Sequence, residues 1–201
     1  MKKKDKAKEI YRKSLHTFGL TIWFVYEFFN KNLCILYVLI CLSVFFIFEV
    51  IRLKKPSLYP YPFKKITEKV AREREKYYLA AHIHFFIGAL IALIIFRGIN
   101  SIVGILVAIF SDAIAAIVGV TIGRAKIPIN KEKTVEGTLT GMVAAMIVII
   151  TFLGVTFTNI IKGLIIAIIF GILDVTNLPV NDNLIYPIIF GGTLSILDLI
   201  F

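Results

Sequence analysis

Residues 111–141 read SDAIAAIVGVTIGRAKIPINKEKTVEGTLTG, and their reading decides the fold. The stretch opens inside an apolar run at an acid, Asp112. It leaves that run through Gly123 and a basic loop ending at Lys133, then enters a second apolar run through Thr134, Glu136 and Gly137. Long apolar runs joined by a short basic loop are the pattern of membrane-spanning helices. A carboxylate in the middle of such a run costs about 2.5–3.5 kcal/mol to insert. Ala108, Ser111, Ala115, Ala116, Gly119 and Gly123 accompany Asp112 at three- and four-residue spacing and make one face of small residues. Close helix packing accounts for that face. It does not account for the aspartate, which we read as a metal ligand or a base in a candidate site.

Composition extends this reading to the whole chain. Its 201 residues are 58% hydrophobic, with a mean hydropathy of +0.86, more apolar surface than a soluble domain of this size can bury. The apolar runs are continuous and rich in Ile, Leu, Ala and Phe, without the alternation of a β-barrel. The expectation is an all-α polytopic transmembrane bundle, a single membrane domain over 1–201 with about seven spans. These fall at 15–29, 33–51, 79–96, 101–122, 137–155, 160–175 and 184–201. Between them lie a basic arm (1–14), a basic linker (52–78), the loop 123–136 and the polar segment 176–183. In the linker, Pro56, Pro60 and Pro62 are expected to exclude a regular helix early on. Its second half, 64–78, is expected to form a charged helix running on into the third span.

With the amino terminus in the cytoplasm, those four polar segments hold twenty of the twenty-three Lys and Arg. That bias fits the positive-inside rule, so the formal net charge of +10 reports topology rather than nucleic-acid binding. Cys34 and Cys41 share a helix face about 10 Å apart, which suits packing and not a disulfide. No cleavable signal is evident: the basic start leads into a stretch interrupted by Glu27, without a small-residue cleavage site.

The same topology brings Arg12, His16, Glu49, Arg52, Arg72, Glu75, His82, Asp112, Lys133, Glu136, Asp174, Asp182 and Asn183 to inward-facing ends. A one-sided gathering of charge suits a membrane enzyme whose polar cosubstrate arrives from the cytosol and whose lipid arrives sideways. In the loop KIPINKEKTVEG (126–137), the lysines serve as membrane anchors and Thr134 as a helix N-cap. A positive helix start beside lysines is equally a natural phosphate site. The P-loop pattern GxxxxGK[ST] is absent. Asp182 and Asn183 read either as N-caps or as oxygen ligands for Mg²⁺. Asp112, Asp174 and Asp182 could share one ion only if the fourth, sixth and seventh helices meet. His82 and His84 do not share a helix face, Glu49 and Arg52 are spaced for an intrahelical ion pair, and Asp198 has no assignment.

The ordered motifs resemble those of the dolichol kinase, phytol kinase and CTP-dependent diacylglycerol kinase group, part of a wider membrane family that includes phosphatidate cytidylyltransferase. Arg12-Lys13-x-x-His16-x-x-Gly19 resembles the group's opening motif, and Glu49-x-x-Arg52 the close of its second span. Arg72-x-x-Glu75 with Leu79, Phe85 and Gly88 resembles the charged lead-in to the next span. Asp112, Ala115, Ala116, Gly119, Gly123 and Arg124 resemble its DxxAAxxGxxxGR core. Lys133-Thr134-Val135-Glu136-Gly137-Thr138 and Leu178-Pro179-x-x-Asp182-Asn183 with Pro187 resemble its last two motifs. Asn181 stands where a second acid is common.

The resemblance implies transfer of the γ-phosphoryl group of CTP to the hydroxyl of a membrane lipid alcohol. The acceptor is of dolichol or polyprenol type, or another lipid alcohol such as diacylglycerol. It implies Mg²⁺ held by Asp112 and Asp182, with Asn183 and Asp174 assisting. Lys133, Arg12, Lys131, Thr134 and Gly137 are expected at the phosphates. Glu136 would orient Lys133 or act as base, with Asp112 as the rival base. Ala115, Ala116, Gly119 and Gly123 would allow close approach of substrate or backbone, and His16, Glu49, Arg52, Arg72 and Glu75 would support the site. The expected setting is a prokaryotic plasma membrane with the site facing the cytoplasm. Partners are CTP, the lipid and the bilayer, and nothing in the residues argues for a homodimer. Two other classes stay open. A CDP-lipid-forming cytidylyltransferase would release pyrophosphate, but its Lys-Asp pair and later His-Gly-Gly are missing. A transporter or scaffold would carry polar groups across the full membrane depth.

Overall fold

The computed structural model describes residues 9–13, 17–70, 75, 77–176 and 178–201, the side chains of 68–70 excepted. Among them the chain is all-helical, with one isolated antiparallel bridge between Lys126 and Thr134. Residues 9–13 are helical and a 3-10 turn spans Thr17–Gly19. Then follow α1 (Leu20–Phe28), α2 (Lys31–Lys54), α3 (Tyr61–Val70), α4 (Ala81–Ile95), α5 (Asn100–Thr121), α6 (Val135–Leu153), α7 (Phe157–Val175) and α8 (Asp182–Ile200). Five of these, α2 and α5 to α8, are long and apolar enough to cross a membrane. Large apolar side chains point outward at helical spacing on α2, where Leu36, Ile40, Val44 and Ile47 are all exposed. A helix that turns such a stripe away from its own core is built to face lipid.

Local sequence sets the ends. Asn30 caps α2 by accepting from the Leu33 amide at 2.9 Å, and Arg52 and Lys54 sit in its last turn, where the helix dipole favours cations. Thr134 caps α6 and Thr156 caps α7 in the same way. Gly154, with φ of +87°, ends α6 in a backbone conformation that side chains rarely adopt.

Three expectations need correction. The first apolar segment yields only a nine-residue α1, about 14 Å long against a hydrocarbon core of about 30 Å. Its polar neighbours explain this: Lys13 is drawn to mid-bundle depth by Asp112, so the apolar part starts half-way in. The charged helix of the linker does not run on into the next span. Residues 71–74 and 76 lie outside the described residues, but 77–80 are not helical, and α4 begins afresh after Ala80, which is extended and holds no side-chain cap. The prolines exclude less than expected, because Pro62 falls in the first turn of α3, where a missing amide costs nothing.

The core is organised around α5, which is buried along most of its length. α6 and α8 flank it, α7 packs on α6, α4 on α8, and α2 on α4. Where α5 crosses α8 the backbones nearly touch. A Cβ on Gly104 would lie 2.4 Å from the Gly191 amide nitrogen and 2.7 Å from its Cα. Neither atom can move aside as a flexible side chain could. Gly104→Val should therefore lower stability by about 3 kcal/mol or more, read as a fall in Tm in detergent; an unchanged Tm would mean that the helices do not cross here.

Polar ties close the end of the bundle opposite the 111–141 loop. Lys31 Nζ donates to the Phe96 carbonyl at 2.7 Å and the Tyr26 hydroxyl to that of Gly98 at 2.8 Å. Asp198 of α8 accepts from buried Lys162 of α7 and, at 2.5 Å, from Asn100 of α5. The previously unassigned Asp198 is thus a three-helix clasp.

Candidate functional site

Four helix ends come together at the other end of the bundle: the carboxyl ends of α5 and α7 and the amino ends of α6 and α8. Asp112 lies nine residues before Thr121, roughly 14 Å in from the end of α5. Lys13 reaches it from the amino-terminal segment, donating from Nζ to Oδ2. Both residues are more than nine-tenths buried. Lys133 enters from the loop and donates to Asp174 Oδ1. The other oxygen of Asp174 accepts from the Thr138 hydroxyl at 2.6 Å, so a carboxylate only 1% exposed has both oxygens engaged. Burial works against charge on Lys133, but Asp112, Asp174 and Asp182 outweigh it and raise its pKa above the usual lysine value. Lys133 is a fixed cation in the field of three acids from three helices. Tyr186 of α8 lies within electrostatic reach of the same acids, and its buried hydroxyl has no hydrogen-bond partner among the described residues.

The loop that carries Lys133 is a small hairpin. Ile127 N donates to Lys133 O at 3.2 Å, Lys133 N to Asn130 O at 2.9 Å and Val135 N to Ala125 O at 2.9 Å. Glu136, in the first turn of α6, accepts from the amides of Arg124 and Ala125 at 3.0 and 3.1 Å. Its carboxylate thus fastens the start of the loop and does not contact Lys133. Glu136→Ala should speed hydrogen exchange at Arg124 and Ala125 while leaving the α5 core protected; unaltered exchange would refute the fastening role. Lys131 is exposed at the hairpin turn.

The small-residue face meets backbone. A Cβ on Gly137 would lie 2.6 Å from the Ala115 carbonyl oxygen and 3.0 Å from Gly119 Cα. One on Gly123 would lie 2.4 Å from Thr134 Oγ1. Ala115, Gly119 and Gly123 therefore let α6 and its capping threonine press against α5, and Ala116 beside them is only partly buried. This contact fixes how far Lys133 stands from Asp112.

Asn181, and not Asp182 or Asn183, is the N-cap of α8. Its Oδ1 accepts from the Asn183 amide at 3.1 Å and from Asn183 Nδ2 at 3.0 Å. Capping by the preceding asparagine leaves Asp182 to face the Lys133 cluster. Pro187, inside α8, has no amide to offer the Asn183 carbonyl four residues earlier.

The supporting residues form a second polar cluster. Glu49 binds Arg52 through both oxygens at 3.0 and 2.6 Å, and Arg52 also donates to the Tyr78 carbonyl at 3.0 Å. This pair ties the end of α2 to the lead-in of α4. Glu75 accepts from the Ala81 amide at 3.3 Å. Arg12 pairs with Glu9 at 2.5 Å and stands with Glu49 and Glu75 rather than with Lys133. His16 and Arg72 lie outside the described residues. His84 Nδ1 is 3.2 Å from its own helix's Ala80 carbonyl, while His82 Nε2 is 4.0 Å from Glu49.

Among the described residues, no three potential ligands from His, Cys, Asp and Glu converge as a metal cage. Asp112 and Asp174 are each matched to a lysine. An ion at this end would have to bring phosphates and waters with it and take no more than one or two carboxylates from the protein.

Three participants escaped the reading of the sequence as site residues: Lys13, Thr138 and Tyr186. Lys13 entered only as the second residue of the Arg12-Lys13-x-x-His16 motif, at the border of an apolar run, and was given no role. Thr138 closed the Lys133–Thr138 motif without a role, and Tyr186 was not singled out. Set beside known proteins, the chain matches no family model, no curated protein and no solved structure.

Proposed function

We propose that this chain is a CTP-dependent lipid kinase that acts at the cytoplasmic face of a prokaryotic plasma membrane. One observation carries the reading. Lys13, Asp112, Lys133, Asp174 and Asp182 come from five separate segments and gather at one end of an apolar bundle. Holding the helices together does not require that cluster. At the opposite end a single clasp of Asp198, Lys162 and Asn100 suffices. We place the amino terminus in the cytoplasm and count seven crossings, the first completed by residues 9–13 together with α1. Lys13 lies beside Asp112 and Tyr26 beside Gly98 at the far end, which supports that path.

In the proposed reaction the lipid hydroxyl oxygen attacks the γ-phosphorus of CTP. The bond from that phosphorus to the β–γ bridging oxygen breaks, CDP departs with the electron pair, and the hydroxyl proton passes to a carboxylate. Asp112 is our choice of base, since Glu136 is engaged with the loop amides. Lys133, held by Asp174, whose other oxygen is fixed by the Thr138 hydroxyl, would bind the transferring phosphoryl oxygens and stabilise charge that builds on them. With Asp112 as base, magnesium would reside with the triphosphate against Asp182, supplying further charge neutralisation.

The test is incubation of the purified protein in detergent with Mg²⁺, γ-labelled CTP or ATP, and a panel of lipid alcohols. The expected result is labelled lipid phosphate with CDP as co-product. Pyrophosphate release with a CDP-lipid would point to cytidylyl transfer, and no labelled lipid from any alcohol would defeat the kinase reading.

A further inference from the structure

A cavity of about 260 Å³ lies between the carboxyl end of α2, the surface helix α3 and the amino end of α4. Its walls differ in kind from the lysine–aspartate cluster. Phe45, Phe48, Phe63, Phe85 and Phe86 line it. Phe45 stacks on Phe86 and Phe48 on Phe63, with ring centroids 5.3 and 4.8 Å apart. The polar groups gather around Arg12, Glu49, Glu75 and His82.

Of these, Arg12 is the one with a donor left over. It is only 9% exposed and gives Nη2 to Glu9, yet its Nε is buried without a hydrogen-bond partner among the described residues. Buried guanidinium donors are ordinarily satisfied, and leaving one unmade costs about 1–3 kcal/mol. The cavity therefore combines an apolar volume with a donor that lacks an acceptor.

Its position relative to the lysine–aspartate cluster is set by two contacts. The residue after Arg12 is Lys13, whose ammonium holds Asp112. Gly19, also on the wall, lies against α5 and α4: a Cβ there would come within 2.9 Å of both Ile109 Cδ1 and the Phe85 ring. Ile109 is one helical turn before Asp112. The outer wall is α3, exposed along its length from residue 61 to 66, beside the outward apolar face of α2.

The geometry points to the acceptor subsite of the proposed kinase: this cavity takes the hydroxyl-bearing end of a single-chain lipid alcohol. The ligand oxygen accepts from Arg12, the adjoining carbons lie among the phenylalanines, and the rest of the chain leaves past α3 into the bilayer. On the scale on which about 150 Å³ admits a benzene ring, the volume holds roughly ten carbons. That accommodates the first two units of an isoprenoid or a decyl segment. It does not accommodate the glycerol and paired acyl chains of diacylglycerol. The inference rests on the lipid-kinase reading and narrows its acceptor.

The experiment uses the full chain in detergent, without nucleotide, and a long-chain primary alcohol carrying a diazirine within its first ten carbons. Irradiation followed by peptide mass spectrometry should place adducts on residues 45–48, 63–67 and 85–86. Decanol should compete and a short-chain diacylglycerol should not. Thr67→Trp and Ala80→Phe fill the cavity from two different walls, and each should reduce labelling at least about tenfold. Thr67 lies on the surface helix, so its replacement leaves the five-helix core intact. Adducts scattered over the lipid-facing helices, labelling unaffected by both variants, or equal competition by diacylglycerol would overturn the assignment. Labelling as expected without phosphoryl transfer from CTP would keep the subsite and reject the kinase. Transfer that survives both variants unchanged would reject the subsite and keep the kinase.

Discussion

Replacing Asp112 by asparagine should reduce CTP-dependent phosphorylation of lipid alcohols by about 10³-fold, measured as label moved from the γ-position of CTP. The side chain keeps its shape and loses its charge, and that loss acts twice. It removes the proposed base. It also strands Lys13, a buried ammonium whose counter-charge is Asp112. Breaking a buried pair by removing one partner costs about 3–5 kcal/mol, so the single variant should also unfold at a lower temperature. Lys13→Met/Asp112→Asn separates the two effects. It removes both buried charges, and most of the stability should return. Activity should not return, because the carboxylate is still missing. Recovery of transfer in the double variant would show that Asp112 serves only to neutralise Lys13, and wild-type transfer by Asp112→Asn would refute the site altogether.

The parts of this architecture that the sequence exposes are those with a strong local signature. Apolar runs are local, so α2 and α5 to α8 could be read within a few residues. Caps are local too, and Thr134 does what its position before an apolar run suggests. The half-length α1 was not legible, because its cause is a contact between Lys13 and Asp112, ninety-nine residues apart. A lysine beside an apolar run reads as an anchor unless its partner is known. The small-residue face was read as a place where substrate or backbone could approach closely, and the fold puts α6 backbone against it.

The candidate site divides along the same line. Asp112 stood out because an acid is costly in mid-span. The pairing of Asp174 with Lys133 and Thr138 depends on how α6 and α7 pack, and no spacing encodes it. Arg12 and Glu49 sit far apart in sequence and line one cavity. What the motifs present as one string of charged residues is, in space, two neighbouring chambers: a lysine–aspartate cluster and an aromatic cavity. They are joined at the Arg12-Lys13 dipeptide, which contributes one residue to each.

Lys133→Met should weaken CTP binding by about 10²-fold, the loss expected when one or two hydrogen bonds from a charged donor disappear. Isothermal titration or the KM for CTP reads it. The argument is electrostatic. Lys133 is the cation in the field of Asp112, Asp174 and Asp182, so its removal leaves Lys13 alone against three aspartates and makes the site still more negative toward a triphosphate. Stability will fall as well, since Asp174 is 1% exposed and loses its counter-charge. A binding loss could therefore be mistaken for general damage, and Lys162→Met supplies the comparison. Lys162 is 7% exposed, pairs with Asp198 and joins the same helices α7 and α8 to α5 from the opposite end. Its loss should lower Tm while leaving CTP affinity unchanged. If both variants lose stability and only Lys133→Met loses affinity, the cation acts on the nucleotide directly. If Lys162→Met weakens binding equally, Lys133 is a clasp like its counterpart and the phosphate must be held elsewhere.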